Sequence, residues 1–335
     1  MKIAVIGAGA IGGMLAVRLS RSDHAVTVVD QGAHLDAIRA NGLRLVEPDG
    51  REEHAANLRA VASCDEAGRQ DLVLLAVKAY TIAVVAPQMR ALFNDDTIVV
   101  PLQNGLPWWY CQNFNGPYSG YRLKSSDPDG VIESSIEPRR IIGCVVYPAG
   151  EIVAPGVVKR LEGDRFPVGE LDGAQSERVA KVSEALIGAQ WKSPVVADIR
   201  AEIWLKLWGN MSFNPISALT HATLVDICQE PATRQLAADM MREAQAVAEK
   251  LGVTFRMPLE KRIEGAEKVG KHKTSTLQDV EAGRAVEVDA LIGSVIELAE
   301  LTGTPAPASR AVHALLKQLV ATMREKHARV ILQPL

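Results

Sequence analysis

The sequence has few cysteines, and they follow none of the patterns that hold metals. Its 335 residues include four cysteines, with no Cys-x-x-Cys motif and no histidine at ligand spacing. Cysteines scattered in this way are typical of reduced thiols in a cytoplasmic protein rather than of a disulfide framework or a metal site. We therefore expect a cytoplasmic location and no metal. The four are Cys64, Cys111, Cys144 and Cys228.

An excess of one charge and long apolar runs are also missing. The chain carries 37 Lys and Arg against 40 Asp and Glu, a net charge of −3, so no basic surface for nucleic acid or anionic lipid is indicated. No apolar run approaches the ~18–20 residues that span a bilayer, and the first residues resemble a strand rather than a cleavable signal. We expect neither nucleic acid nor membrane as a partner. With 47% hydrophobic residues, the chain is an ordinary globular protein whose length predicts two domains.

The first thirty residues contain a glycine-rich turn between a strand and a helix. An apolar run ends at Ile6, a helical pattern follows Gly12, and a second apolar run ends at Asp30. In this arrangement the first glycine permits a tight turn, the second lets a pyrophosphate approach, and the third lets helix and strand pack closely. We expect the cofactor to be a dinucleotide, with its phosphates at the helix N-terminus and its ribose at Asp30. The turn consists of Gly7, Ala8, Gly9, Ala10, Ile11 and Gly12.

Strand and helix patterns alternate through the first half of the chain. Short apolar runs at 71–77 and 97–100 predict buried parallel strands, and residues 80–93 between them predict a helix. Further strands of mixed direction are indicated between 141 and 168. This rhythm predicts an α/β Rossmann-type, doubly wound N-terminal domain over residues 1–198.

Helical patterns dominate the second half of the chain. They cover residues 201–219, 232–251, 286–301 and 309–326, and predict an all-α C-terminal domain over 199–335 that binds substrate and forms any dimer contact. Residues 106–140 stand apart as a loop-like insertion with two of the five Trp and three of the five Tyr. A loop of this length is functional or poorly ordered, and a surface insertion or an oligomer contact is the alternative.

Two polar residues follow predicted strands of the first domain. Lys78 comes after the strand at 71–77, and Asn104 follows the strand at 97–100. Because ligands of doubly wound sheets bind at the carboxyl ends of the strands, both are candidates to contact the cofactor. The alternative is a surface lysine and an ordinary Asn-Gly turn.

A lysine and two asparagines share one face of an otherwise apolar helical pattern. Lys206, Asn210 and Asn214 are spaced by four, among tryptophans and other large apolar residues. A lysine in such a helix must be paired or must lose its proton readily, which suits a proton donor near neutral pH. The alternative is a lysine whose ammonium extends to the surface.

A second polar run covers residues 274–289. Ser275 or Thr276 is positioned to cap a helix that starts at Leu277, and Glu287 opens the next helical pattern. From these residues alone, the run is most simply two capped helices with a solvated acidic face.

Taken in order, these motifs resemble those of the ketopantoate reductase (2-dehydropantoate 2-reductase) family, and the resemblance spans nearly the whole chain. It implies reduction of 2-dehydropantoate to pantoate by NADPH in pantothenate biosynthesis. By the same resemblance, Lys206 is the general acid, and Glu287 bonds the substrate hydroxyl or orients Lys206. Asn210, Asn214 and Ser275 bind substrate, while Asn104 and Lys78 lie beside the cofactor. The motifs are the glycine turn, Val77-Lys78-Ala79, Gln103-Asn104-Gly105, the Lys206 helix and the run from Ser275 to Asp289.

Two features depart from the family pattern. The connection after Gln103-Asn104-Gly105 is longer than usual because of residues 106–140. The second strand ends in Asp30, where the family mostly has a basic residue, and no Lys or Arg follows before Arg39. An aspartate there bonds a ribose 2′-hydroxyl and repels a 2′-phosphate. NADP(H) is the first cofactor expected from the resemblance, and NAD(H) remains open because of Asp30.

Two other functions fit parts of the pattern. A reductase of the same fold with another 2-keto or 3-hydroxy acid would keep the lysine helix, and the insertion favours a changed substrate. A non-catalytic dinucleotide sensor would keep the glycine turn but would not need Lys206 together with Glu287. The expected partner is a small 2-keto acid, and a homodimer remains open.

Overall fold

The computed structural model describes residues 1–56 and 58–333, and the chain divides into two compact units. Two short stretches of the predicted insertion belong to the second unit, which is otherwise formed by the C-terminal half. The first unit comprises Met1–Gln103, Cys111–Asn115 and Asp129–Ile199. The second comprises Asn104–Tyr110, Gly116–Pro128 and Arg200–Leu335.

Eleven strands and six helices are described in the first unit. The strands are β1 (Lys2–Ile6), β2 (Ala25–Val29), β3 (Leu43–Val46), β4 (Glu52–Ala55), β5 (Arg59–Val61), β6 (Gln70–Leu75), β7 (Phe93–Pro101), β8 (Gly143–Cys144), β9 (Ala149–Ala154), β10 (Val157–Glu162) and β11 (Val168–Gly169). The helices are α1 (Ala10–Ser20), α2 (Gly32–Asn41), α3 (Cys64–Ala67), α4 (Ile82–Val85), α5 (Val131–Ser135) and α6 (Glu177–Gly188).

The central sheet of this unit has five parallel strands in the order β5-β2-β1-β6-β7. Ile3 pairs with Val26 of β2 on one side and with Leu72 of β6 on the other. The strands are nearly continuous apolar runs because both faces of the sheet are covered. The chain winds outward from β1 in both directions, so the order reverses between β1 and β6, where doubly wound sheets bind ligands. The predicted Rossmann-type fold is confirmed.

Helix α1 packs against the central sheet and also against a second sheet of mixed direction. That sheet has the order β4-β3-β10-β9, with β10 parallel to β3 and antiparallel to β9. A Cβ on Gly13 of α1 would lie 2.8 Å from the Val158 side chain, so the helix and the second sheet are in close contact. Eight of the eleven residues of α1 are buried, which explains a helix with little polar surface. Strands β8 and β11 form a small antiparallel pair.

The helix predicted over residues 80–93 is wrong in its extent. The segment consists of a 3₁₀ turn, the single α-helical turn of α4, and a further 3₁₀ stretch over Ala86–Leu92. Pro87 has no backbone N–H and so cannot continue the α-helical hydrogen bonds. Phe93 already begins β7.

The second unit is helical. Its helices are α7 (Ile199–Thr220), α8 (Leu224–Gln229), α9 (Pro231–Lys250), α10 (Leu259–Val269), α11 (Ser275–Ala282), α12 (Ser294–Leu301) and α13 (Pro307–Glu325), with a π-helical turn at Asp289–Gly293 before α12. The predicted all-α C-terminal domain is confirmed as a fold class. Among the described residues, no helix combines the length and apolarity needed to cross a membrane.

None of the four cysteines forms a disulfide in the described structure, and all four are buried. Burial raises the pKa of the Cys64 thiol to about 11, and the neighbouring Asp65 acts in the same direction. Burial also raises the pKa of the Cys228 thiol. Since the thiolate is the reactive form, burial disfavours both as nucleophiles and agrees with their place in the core.

Candidate functional site

The glycine turn of the first unit is shaped by two positions that exclude a side chain. Gly7 has φ +88°, a left-handed conformation, and lies against Ala76 and Val77 just beyond β6. A Cβ on Gly12 would come within 1.9 Å of the Gly7 carbonyl oxygen and 2.9 Å of the Ala76 side chain. Glycine at these positions therefore lets the turn close and lets α1 pack against β1 and β6.

Gly9 differs because a Cβ there would meet no atom within 4 Å. It directly precedes Ala10, the first residue of α1, whose first turn contains no acidic residue. Open space above a backbone at a helix N-terminus suits a phosphate, which accepts hydrogen bonds from N–H groups and gains from the helix dipole. The turn therefore fits the pyrophosphate of a dinucleotide.

Asp30 and His34 are fastened to this turn. The Asp30 carboxylate accepts hydrogen bonds from the backbone N–H of Ala8 at 2.5 Å and of Gln31 at 2.6 Å. His34 uses both ring nitrogens, since Nδ1 accepts the Gly156 N–H at 3.1 Å and Nε2 lies 2.9 Å from the Ala8 oxygen. Nδ1 must be unprotonated to accept a hydrogen bond, so the ring proton is on Nε2, which donates a hydrogen bond to the Ala8 oxygen. His34 was not predicted, because no feature of the sequence pairs it with residues so far along the chain.

Lys78 and Gln103 follow the central strands at the same edge of the sheet as the glycine turn. Lys78 is exposed and follows β6, next to the Val77 side chain that touches Gly7. The Gln103 side chain donates to the Leu75 oxygen at 2.7 Å and to the Val77 oxygen at 3.1 Å. Gln103 thus connects the segment that follows β7 to the end of β6. Gln103 stands in the Gln103-Asn104-Gly105 motif, but the sequence indicates no role for its own side chain.

Lys206 of the second unit contacts Asn104. The Lys206 ammonium donates to the Asn104 side-chain oxygen at 2.6 Å. Lys206 is half-buried on α7, where Trp204, Leu207 and Trp208 are buried. A charge-assisted hydrogen bond of this length fixes the position of the ammonium at the edge of an apolar helix.

The turn that carries Asn104 is determined by Gly105. Gly105 has φ +86°, and a Cβ there would lie 2.1 Å from the backbone oxygen of Ala290. The next residue, Leu106, donates its N–H to that same oxygen at 3.1 Å. Ala290 is three residues beyond Glu287, a buried residue that precedes the π-helical turn. The Asn-Gly turn therefore packs against the Glu287 segment while its asparagine contacts Lys206.

The other predicted substrate residues lie further along α7 and at the start of α11. Asn214 is buried and donates to the Ser275 hydroxyl at 3.4 Å, while Asn210 is half-buried one turn closer to Lys206. The predicted cap at Ser275 or Thr276 is wrong by one residue. Thr274 caps α11 by accepting the Leu277 N–H at 3.3 Å, which leaves Ser275 exposed at the first helical position.

Both halves of the chain match models of one protein family. The family profile "Ketopantoate reductase PanE/ApbA" matches residues 3–107, and "Ketopantoate reductase PanE/ApbA C terminal" matches residues 198–320. A 2-dehydropantoate 2-reductase of Mesorhizobium japonicum is 52% identical over 95% of this chain and 98% of its own. A crystal structure of a candidate ketopantoate reductase from Ralstonia solanacearum superposes with a TM-score of 0.90 at 36% identity, covering 96% of this chain and 98% of the other.

The fold alone is shared more widely. D-mandelate dehydrogenase, solved with NADH and anilino(oxo)acetate, superposes with a TM-score of 0.82 at 21% identity, over 97% of this chain and the whole of the other.

A glycine turn that fits a dinucleotide and a lysine held on an apolar helix are typical of NAD(P)H-dependent oxidoreductases, the class to which relatives named 2-dehydropantoate 2-reductase belong. Within that class, the chain belongs to the ketopantoate reductase family.

Proposed function

We propose that this protein reduces 2-dehydropantoate to pantoate in pantothenate biosynthesis, with NADPH as hydride donor and Lys206 as the general acid. The hydrogen bond of 2.6 Å from Lys206 to Asn104 is the main support from the structure, because it fixes an ammonium group on an otherwise apolar helix. Sequence similarity to a protein named 2-dehydropantoate 2-reductase over 95% of the chain supports the substrate.

The proposed chemistry depends on a proton donor at the ketone oxygen. Bound dihydronicotinamide would supply the hydride to the ketone carbon. Negative charge grows on the ketone oxygen during reduction, and Lys206 would stabilise that charge and donate the proton. An ammonium has three N–H donors in different directions, so it can serve Asn104 and a substrate oxygen together.

The neighbouring polar side chains would hold the substrate around that oxygen. Asn210 and Asn214 continue the polar face of α7 from Lys206, and the contact between Asn214 and Ser275 extends it to the start of α11. These groups offer amide and hydroxyl hydrogen bonds to the carboxylate and hydroxyl of the substrate. Glu287, buried three residues from the contact at Ala290, would accept from the substrate hydroxyl or orient Lys206.

Replacement of Lys206 tests the general acid. We expect Lys206→Ala to lose roughly 10²–10⁴-fold in kcat, since that is the usual contribution of general acid catalysis. Cofactor affinity, measured by the fluorescence of bound NADPH, should stay within about threefold because the groups proposed to hold the cofactor are unchanged. Lys206→Arg keeps the charge but not a readily lost proton, so it should remain slow. Lys261→Ala, at an exposed lysine of α10 paired with Glu264, is the matched control. Near-normal turnover by Lys206→Ala would refute the assignment.

The cofactor would be held by the glycine turn, with Lys78 at its edge. NADPH is our first choice because the family resemblance favours it. NADH is the second candidate because the Asp30 carboxylate lies at the turn and repels a 2′-phosphate. Arg39, a basic residue near that strand end, donates instead to the Ala60 oxygen at 3.1 Å. Comparison of kcat/KM for NADPH and NADH decides between them, and Asp30→Ala should shift the ratio toward NADPH.

A different small acid is the second candidate substrate, favoured by the stretches of the insertion that belong to the same unit as Lys206. Turnover with 2-keto acids that lack the 4-hydroxyl or the branched carbon of 2-dehydropantoate distinguishes the two. Equal or faster turnover of a simpler acid would replace our assignment. A homodimer stays a prediction, which light scattering in solution tests.

A further inference from the structure

The carboxylate of Glu297 binds Gly116–Pro128, the second stretch of the insertion, to α12. Glu297 Oε1 accepts the Lys124 N–H at 2.8 Å and the Tyr121 hydroxyl at 2.9 Å, and Oε2 accepts the Ser125 N–H at 2.7 Å. A carboxylate that receives three hydrogen bonds, two of them from backbone, holds the loop more firmly than side-chain contacts alone would. Apart from Ser294 and Glu300, the other residues of α12 are apolar.

The first stretch of the insertion is fastened to the helix that carries Lys206. The Tyr110 hydroxyl accepts the Trp204 indole N–H at 2.7 Å, and the Tyr110 backbone oxygen accepts from Arg200 at 2.8 Å. Tyr110 and Trp204 are fully buried, and their rings meet edge to face. Trp204 is two residues before Lys206, so this contact supports α7 close to the proposed acid.

The two stretches are joined at the turn that contacts Lys206. The Ser126 hydroxyl donates to the Leu106 oxygen at 2.8 Å, directly after the Ser125 N–H that Glu297 holds. Leu106 in turn donates its N–H to Ala290. A continuous path of hydrogen bonds and adjacent residues therefore runs from Glu297 through Ser126 and Leu106 to Asn104.

We propose that Glu297 is a positioning residue for the reaction. By holding residues 121–126, it sets the Asn104 turn and through Asn104 the place of the Lys206 ammonium. This role rests on the proposed function, in which Lys206 is the general acid. A misplacement of about 1 Å at a reacting group costs roughly 10²-fold in rate, so a residue without substrate contact can control turnover.

The test measures kcat and KM separately for Glu297→Ala and Ser126→Ala. We expect kcat to fall roughly 10- to 100-fold for Glu297→Ala and less for Ser126→Ala. Cofactor KM should change much less than kcat in both, because the glycine turn is not altered. Glu297→Gln keeps one carbonyl acceptor and should restore part of kcat. The double variant should be no slower than Glu297→Ala alone, because both changes interrupt one path. Glu300→Ala, at an exposed residue of the same helix paired with Arg310, is the control and should match the wild type.

Three results would overturn the proposal. One is a kcat within twofold of wild type for Glu297→Ala and Ser126→Ala at a temperature where both are folded. Another is a fall in kcat matched by an equal rise in cofactor KM, which indicates general loosening. The third is fully additive effects in the double variant. If Glu297→Ala fails to fold, Ser126→Ala and Tyr121→Phe carry the same test. Failure of Lys206→Ala to lose activity would instead refute the general acid, so the two failures are distinguishable.

Discussion

At the scale of single residues, the glycines of the dinucleotide turn have different physical roles. Gly12 is required by the protein itself, because a Cβ there would overlap the Gly7 carbonyl. Gly9 has open space around it, so the protein alone does not require glycine at that position. Two reasons for glycine remain: Gly9 is the N-cap of α1, where glycine is favoured over alanine, and we expect a phosphate to approach its backbone closely.

Alanine at each position separates these roles. Gly12→Ala should lower the free energy of unfolding by about 1–3 kcal/mol, the usual cost of overpacking, with a lower Tm whether or not cofactor is present. Gly9→Ala replaces the N-cap of α1, so it should lower the Tm without cofactor less than Gly12→Ala does, but it should raise the Kd for NADPH roughly tenfold or more, equivalent to ~1.4 kcal/mol. Calorimetry and fluorescence titration measure both. A wild-type Kd for NADPH in Gly9→Ala would contradict the assignment of this turn to the cofactor site.

At the scale of elements, α13 depends on a residue from another helix. Its N-cap position is Ala306, which has no side chain that can accept from the first turn. The carboxylate of Glu243 on α9 takes this place, accepting the N–H groups of Ala308 and Ser309 at 2.8 Å each. An anion at a helix N-terminus also gains from the helix dipole.

Loss of this cap should destabilise the protein without affecting the reaction. We expect Glu243→Ala to cost about 1–2 kcal/mol of unfolding free energy, as other lost caps do, and Glu243→Gln to cost less. Denaturant unfolding checks this, with Glu249→Ala at an exposed position of the same helix as control. An unchanged midpoint for Glu243→Ala would show that the two hydrogen bonds contribute nothing net.

The sequence was most informative about elements whose pattern reflects burial. Helix α1 and strands β1, β2 and β6 are buried on nearly every side, so their composition indicates both position and type. Residues 80–93 had a helical pattern, but Pro87 and the local backbone produced 3₁₀ turns instead. Strands β3 and β4 escaped prediction because they are four residues each with alternating exposure, too short for a periodic signal.

At the scale of the whole molecule, carboxylates in ion pairs and hydrogen bonds make stability depend on pH. The hydrogen bond with His313 lowers the pKa of Asp289, and Lys317 acts in the same direction. The hydrogen bond from Lys273 lowers the pKa of Glu281. Because the folded state binds protons more weakly than the unfolded state, these groups contribute stability above the ordinary carboxyl pKa of about 4. That contribution is lost as pH falls through their lowered values.

We therefore expect Tm to stay nearly constant with respect to these groups from pH 7 to about 5 and to fall below about pH 4. The double variant Asp289→Asn with Glu281→Gln should have a lower Tm at pH 7 and a smaller decrease between pH 5 and 3. Thermal scans at matched ionic strength measure this. Parallel curves for variant and wild type would contradict the role of these two carboxylates.

The candidate site was only partly predictable because its contacts join distant parts of the chain. The spacing of Lys206, Asn210 and Asn214 was visible, since one helix carries all three. The contact between Lys206 and Asn104 joins residues about a hundred positions apart, and position after a strand was the only local signal for Asn104. No role for Glu297 could be predicted from the sequence, because a single glutamate in a helix is common and its partners lie about 170 residues earlier in the chain.

Trp204 and Glu297 take their hydrogen-bond partners from the segment 110–125. Trp204 is a fully buried indole whose N–H is bonded by Tyr110, and Glu297 directs its carboxylate at backbone groups of residues 124 and 125. Shortening the loop to a tight connection would leave the buried Trp204 N–H and the Glu297 carboxylate without these partners. A polar group that loses its hydrogen bonds on burial lowers the stability of the folded state. A shortened variant would therefore keep its stability only if Trp204 and Glu297 were replaced together with the loop.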